Sequence, residues 1–375
     1  MCFMVKCTNP VSRNMPNVAP FRILALDGGG IRGLYTATLL DRLSESFSQQ
    51  TGSAAETLGQ RFQLITGTST GGILACALAA GVSPARIVKL YEENGPSIFR
   101  NPLPSGRLSR MWWAMRNSLG AANSVAPLAE ALTAIFGDQT LGDIWRDKSV
   151  ALCIPSTKML DETPKVFKTP HNPRFTVDRH YKVVDVCLAT SAAPIFLPLA
   201  VLPDPQHPND HAAFADGGLW ANNPSLVGLI EALEICWNDD SDCAKRPIEI
   251  LSIGTCGLPG GDTPGVKASR GLLEWGIGIK TTSLSMNAQA ASASFMTRLL
   301  CQRVSELGRK ARVVRIENPP VSLAQSQHLG MDLATPRAIQ LLKQLGATKA
   351  QAVMSLCAEP DSADGQMIRR IFTEN

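Results

Sequence analysis

Three short stretches carry residue types suited to acyl-transfer chemistry. In GTSTG, residues 67–71, Ser69 stands between Gly67 and Gly71 in the pattern G-x-S-x-G. A serine hydroxyl acts as a nucleophile when a sharp strand-to-helix turn exposes it near a helix N-terminus, whose partial positive charge favours a developing anion. Gly67 and Gly71 remove side chains that would crowd such a turn. In DGGGIRG, residues 27–33, an apolar run is followed by the consecutive amides of Gly28, Gly29 and Gly30. Backbone donors at a strand end are what a tetrahedral oxyanion needs. In FADGG, residues 214–218, a short apolar stretch delivers Asp216 to a Gly-Gly turn. A carboxylate there can face the same sheet end as Ser69. An aspartate of ordinary pKa, about 4, is a weak base for a serine hydroxyl. Burial makes it more capable by disfavouring the charged form, so Asp216 is expected to be largely buried.

The glycines also fit another chemistry. Gly28, Gly30 and Gly33 spell G-x-G-x-x-G, the dinucleotide fingerprint when a strand precedes it and a helix follows. That reading needs a second strand ending in Asp or Glu about 20 residues further on. The segment SQQTGSAAETLGQ, residues 48–60, has no apolar run, and its only acid, Glu56, ends no strand. The dinucleotide reading therefore lacks its second half. The five histidines, His171, His180, His207, His211 and His328, follow no strand-end motif. A Ser-His-Asp esterase and a nonhydrolytic binding module on the same fold stay as alternatives.

The elements that must position these residues follow from periodicity. Ile23 to Leu26 reads as a strand, and Tyr35, Leu39, Leu43 and Phe47 recur at four-residue spacing as a helix. Phe62 to Thr66 is a second strand. The stretch ILACALAAG after GTSTGG is apolar all round, as a helix in the middle of a fold is. Further strands are expected at 149–154, 212–215 and 248–253, and helices at 182–190, 224–236 and 336–345. Strands alternating with helices indicate an α/β sheet covered on both faces.

The chain has 375 residues, 45% hydrophobic and 18% charged, with a net charge of +4. That balance is too weak to indicate DNA or RNA binding and is compatible with visits to an anionic surface. The ten cysteines show no C-x-x-C spacing, so no metal site is expected and free buried thiols in a reducing compartment are. No secretory h-region and no span-length apolar stretch is visible, and a cytoplasmic location, peripheral to a membrane, is the expectation.

DGGGIRG, GTSTG and DGG in that order resemble the patatin-like phospholipases. YEENGPSIF (91–99), ATSAAPIFLP (189–198), WANNPS (220–225) and LSIGT (251–255) extend the resemblance. Cys256 stands where that family often has a glycine. The resemblance implies a single-domain, three-layer α/β/α sandwich with a mainly parallel central sheet. It spans residues 21–345, between a flexible arm at 1–20 and a C-terminal extension at 346–375. It also implies a serine–aspartate dyad without histidine, with Ser69 as nucleophile and Asp216 as base. The amides of Gly28, Gly29 and Gly30 would form the oxyanion hole, Arg32 would orient their loop, and no metal or cofactor would serve the chemistry. The sequence looks most like a bacterial, signal-free group, some of whose members are anti-phage effectors that degrade membrane phospholipid when a cyclic dinucleotide activates them. The implied partners are a phospholipid membrane surface, a cyclic dinucleotide and, in a homo-oligomer, a second copy of the chain.

From Asn94 to Ala129 there is no acidic residue, while Arg107, Arg110, Trp112, Trp113 and Arg116 fall within the stretch. Arginine beside tryptophan suits a lipid headgroup interface. It equally suits an anionic, base-bearing ligand, or a segment whose tryptophans simply pack on the core.

Overall fold

The apolar run after residue 20 forms β1 (Phe21–Leu26), buried along its whole length. It pairs in parallel with β2 (Leu64–Gly67) on one side and β7 (Ile248–Ile253) on the other. The parallel set continues with β3 (Ala151–Lys158) beside β2 and β8 (Ala311–Ile316) beside β7. Three antiparallel strands complete the sheet: β4 (Thr163–Lys168) on β3, β6 (His211–Asp216) also on β3, and β5 (Ala200–Pro203) on β6. The sheet is therefore mixed, with a parallel centre of five strands. The computed structural model describes residues 18–374, except 53, 54, 206, 208, 238–245, 258–267, 272, 273 and 276–278; the side chains of 55–57, 107 and 279 are also outside the described set. The arm expected at 1–20 lies outside the described residues as far as residue 17, with Cys2 and Cys7.

Alternation along β1 sends its two faces into two cores. Leu24 and Leu26 join the larger one, with the Gly33–Thr51, Thr70–Ala79 and Pro336–Ala358 helices. Phe21, Ile23 and Ala25 join the smaller one, with Leu229, Ala232 and Cys236 of the Ser225–Trp237 helix and Cys301 of the Ile279–Glu306 helix. Helices on both faces make the expected three-layer sandwich. Seven cysteines among the described residues are buried. No helix among the described residues is long and apolar enough to cross a membrane.

The boundary expected at 345 does not exist in the structure. It falls inside the Pro336–Ala358 helix, and the following helix, Ala363–Thr373, buries Met367, Ile368, Ile371 and Phe372. Phe372 stacks on Phe47 at 5.2 Å, and Glu374 takes an ion pair from Arg22 of β1. Residues 346–374 are thus part of the core rather than an extension.

One detail of the sheet positions the site. β4 lines one edge of β3 over residues 153–158. The other edge is shared: β2 pairs with residues 151–153 of β3 and stops, while β6 arrives from the opposite direction and ends with Asp216 opposite Ser156. The C-terminal ends of β2 and β6 thus point at each other along β3, with two β3 residues, 154 and 155, between them, a span of three strand rises or roughly 10 Å.

Candidate active site

Ser69 sits in that gap, between β2 and the Thr70–Ala79 helix, as the N-cap of the helix. Its backbone has φ 55 and ψ −125, a conformation that an L side chain rarely adopts. The turn is possible because a Cβ on Gly67 would lie 2.1 Å from the Gly71 carbonyl, and one on Gly71 2.3 Å from the Leu26 carbonyl. Both positions must lack a side chain for β1, β2 and the helix to come this close. The Ser69 amide donates to Thr190 Oγ1 at 2.9 Å, and Thr190 in turn donates to the Pro155 carbonyl at 2.6 Å. Thr190 lies in the 189–198 segment, but nothing local marks it as the residue that holds the serine.

The Ser69 hydroxyl donates to Asp216 Oδ2 at 2.7 Å. The other carboxylate oxygen, Oδ1, accepts the Gly218 amide at 2.6 Å. Asp216 is 5% exposed. Burial pushes its pKa up to about 6, against the lowering effect of its two hydrogen bonds. Both donors are neutral, and neither is a histidine.

The glycine loop lies directly beside the serine: a Cβ on Gly28 would be 3.3 Å from Ser69 Cβ. Its three amides are not equivalent. Gly28 donates to the Asn222 carbonyl at 3.0 Å, so it is already engaged and drops out of the expected donor set. The amides of Gly29 and Gly30 make no hydrogen bond among the described residues. Gly30 has φ 59, and a Cβ there would meet the Met331 carbonyl at 2.1 Å. The same carbonyl accepts the Ile31 amide at 2.8 Å, which fixes the loop from outside. Arg32 donates from Nε to the Gly29 carbonyl at 3.3 Å, and burial lowers its pKa.

Residues distant in sequence complete the surroundings. Arg315 of β8 pairs with Asp27, where β1 enters the glycine loop, and also donates to Ser252 Oγ at 2.7 Å. Thr255 donates to the Gly28 carbonyl at 2.8 Å. Asn222 carries a buried side-chain oxygen without a partner among the described residues. It belongs to WANNPS, where sequence alone marks no role. Arg315 has no local signal at all.

Another cluster has the composition of a metal site. Donor atoms of Cys153, His171 and Glu231 lie within 4.8 Å of one another. The groups are already engaged: His171 contacts Thr169 Oγ1 through Nδ1 at 2.8 Å and Glu231 through Nε2 at 2.9 Å, and the Lys168 ammonium pairs with Glu231. Burial, with Glu231 nearby, holds the Cys153 thiol well above its usual pKa. A cation there would have to displace an ammonium and deprotonate this thiol, so the residues do not fit a metal.

The basic, aromatic segment forms a helix, Arg107–Arg116. It separates the two tryptophans. Trp112 is exposed, whereas Trp113 is buried, donates from Nε1 to the Asn101 carbonyl at 3.2 Å and packs on Phe196. Trp113 is therefore an anchor rather than a contact residue. Arg110 donates to the Pro104 carbonyl at 2.8 Å, Arg116 is exposed, and the side chain of Arg107 is outside the described residues.

Comparison with known proteins places the chain in a family. Residues 24–227 match the patatin-like phospholipase family. A Pseudomonas aeruginosa protein named cGAMP-activated phospholipase is 37% identical over 76% of this chain and 76% of its own length. A Vibrio cholerae protein of the same name is 33% identical over 79% of this chain and 81% of its own. Patatin-like protein 4 of Arabidopsis thaliana is 31% identical over 62% of this chain and 59% of its own. The chain belongs to the patatin-like phospholipase family of hydrolases.

Proposed function

We propose that the chain hydrolyses carboxylic esters of membrane glycerophospholipids through an acyl-Ser69 intermediate, and that a cyclic dinucleotide of the cGAMP type activates it. The observation that carries the chemistry is the Ser69 hydroxyl on the buried Asp216 carboxylate at 2.7 Å. The names of the bacterial relatives support both the lipid substrate and the activator.

Asp216 takes the Ser69 proton as Oγ attacks the ester carbonyl carbon. A base with a pKa of about 6 is still ionised at neutral pH, and accepts that proton more readily than an aspartate in water. The carbonyl oxygen becomes an oxyanion, received by the amides of Gly29 and Gly30. Each well-placed donor contributes about 3 kcal/mol to the transition state. Collapse breaks the ester C–O bond, and the leaving lysolipid oxygen takes the proton from Asp216. Asp216 then takes a proton from water, whose oxygen attacks the acyl-Ser69 carbon. Release of the fatty acid returns the proton to Ser69.

The test is fatty-acid release from phosphatidylethanolamine and phosphatidylglycerol vesicles, with and without cGAMP. Wild type is expected to release fatty acid rapidly only with cGAMP, and Ser69→Ala to stay at background. Undiminished release by Ser69→Ala removes the mechanism. Full wild-type release without cGAMP removes the activation and favours a constitutive lipid esterase.

A further inference from the structure

The Arg107–Arg116 helix is amphipathic with its apolar stripe facing outward. Leu108, Met111, Trp112 and Met115 fall at i, i+3, i+4 and i+7, one side of a helix, and Leu119 continues the line in the turn that follows. All five are exposed, from 43% at Met111 to 101% at Leu119. Trp113, turned to the other side, is 7% exposed and anchors the helix. A helix that turns its apolar stripe to water leaves unfavourable surface uncovered, and the stripe is too regular for scattered surface residues.

Two observations identify what covers it. The first is charge. The 36 residues from Asn94 to Ala129 contain four arginines and no acid, so the segment that carries the stripe is itself cationic. That charge repels a second copy of itself and attracts an anionic surface. The second is place. The segment after the helix is tied to the loop that lines the Ser69–Asp216 pair: the amides of Ala122 and Asn123 donate to the carbonyls of Ile195 and Phe196 at 2.8 and 3.0 Å. The same loop supplies Thr190 to the Ser69 amide and the Ala192 carbonyl to the Asp216 amide. Ile195 and Leu199 are themselves exposed apolar residues on this loop, and Ile195 has φ 75, a strained conformation for a β-branched residue. The helix is thus tied to the segment that holds the dyad, which carries exposed apolar residues of its own.

The geometry points to this surface as the membrane-docking face. Leu108, Trp112, Met115 and Leu119 enter the acyl boundary of an anionic bilayer, with Arg110 and Arg116 at the headgroup level. Docking there sets Ile195 and Leu199 against the lipid and delivers an ester to Ser69. The inference rests on the phospholipase reading for that last step, while the binding itself is measured without catalysis.

The experiment uses Ser69→Ala as the parent, so that vesicles stay intact, with and without cGAMP. Co-sedimentation is measured with vesicles of phosphatidylglycerol and phosphatidylethanolamine and with vesicles of phosphatidylcholine alone. The parent is expected to bind the anionic vesicles at least about tenfold better than the zwitterionic ones. Adding Trp112→Glu and Met115→Glu is expected to lower anionic-vesicle binding by more than tenfold, about 1.4 kcal/mol. In the Ser69 background, those two changes are expected to leave hydrolysis of a water-soluble monomeric ester within about twofold, which shows the fold is retained. Unchanged vesicle binding by the double variant overturns the proposal. So does a parent that binds neither kind of vesicle under either condition. A dimer that the double variant converts to monomer, with vesicle binding unchanged, assigns the face to a second copy instead. A chain that docks but hydrolyses no phospholipid removes the enzymatic reading and leaves the docking face standing.

Discussion

Asp216 at the end of β6 and Glu231 on the Ser225–Trp237 helix are both buried carboxylates, 5% and 4% exposed. Their protons are held with opposite strength. Burial raises both, but among the described residues the Asp216 carboxylate is hydrogen-bonded by a hydroxyl and an amide, and its pKa stays up at about 6. At Glu231 the hydrogen bond from His171 and the ion pair with Lys168 outweigh burial and hold the carboxyl below its usual range. The difference shows what makes a buried carboxylate a base rather than a strut. Neutral donors position it without locking the charge, whereas cations lock it.

The largest test of that contrast is chemical. Asp216→Asn is expected to lower kcat for phospholipid hydrolysis by about ten-thousandfold, whereas Glu231→Gln leaves kcat within about threefold once stability is allowed for. Equal losses in the two variants, measured by fatty-acid release, break the comparison. Stability comes next, and it moves the other way. Lys168→Met leaves Glu231 with only His171 as partner and is expected to cost about 3 kcal/mol in urea unfolding, the low end for a buried pair because Lys168 partly reaches water. Asp216→Asn is expected to stabilise the fold at neutral pH by up to about 3 kcal/mol, the equivalent of a two-unit rise in pKa.

The smallest effect is in the pH dependence, and its sign differs at the two sites. Asp216 binds its proton more tightly folded than unfolded, so its contribution to stability falls as pH rises from 3.8 to about 6. Glu231 binds its proton less tightly when folded. Its contribution is complete above its unfolded value of 4.5 and is lost as pH falls through the lower folded value. The melting-temperature advantage of Asp216→Asn over wild type should therefore grow between those limits, while the deficit of Glu231→Gln shrinks in acid. Hydrolysis by wild type should fall below a midpoint near pH 6 as Asp216 protonates. A midpoint near 4 would place Asp216 in water.

What was legible in the sequence was local. The strand, glycine loop and helix around Asp27–Gly33 show themselves by periodicity, as does the turn at Ser69, because each is stabilised by neighbours a few residues away. The Asp216 turn announces itself through its glycines. What was not legible depends on distant partners. Arg315 meets Asp27 across 288 residues. Gly28 loses its free amide to the Asn222 carbonyl, and no pattern in DGGGIRG distinguishes it from Gly29. Phe372 finds Phe47 only after the chain has folded back, so the last two helices read as an addition to a core they help to build. The 107–116 helix shows its spacing in Leu108, Met111, Trp112 and Met115, but nothing local says that this stripe faces water or which of Trp112 and Trp113 is the anchor. The structure puts them on opposite sides.

The shared edge of β3 has a consequence for how this protein can diverge. Ser69 and Asp216 are 147 residues apart, yet their separation is set by three rungs on a strand to which neither belongs. β3 works as a measuring stick: lengthening a connection between Ser69 and Asp216 outside the strand alters nothing that the stick reads. The 94–129 stretch and the turn at 159–162 lie between the two residues and off the stick. Such a design allows new surfaces to be grafted between nucleophile and base without retuning the chemistry. An inserted residue within 153–156 of β3 itself, by contrast, would move the two apart by one strand rise, about 3.3 Å, and silence the pair at a stroke.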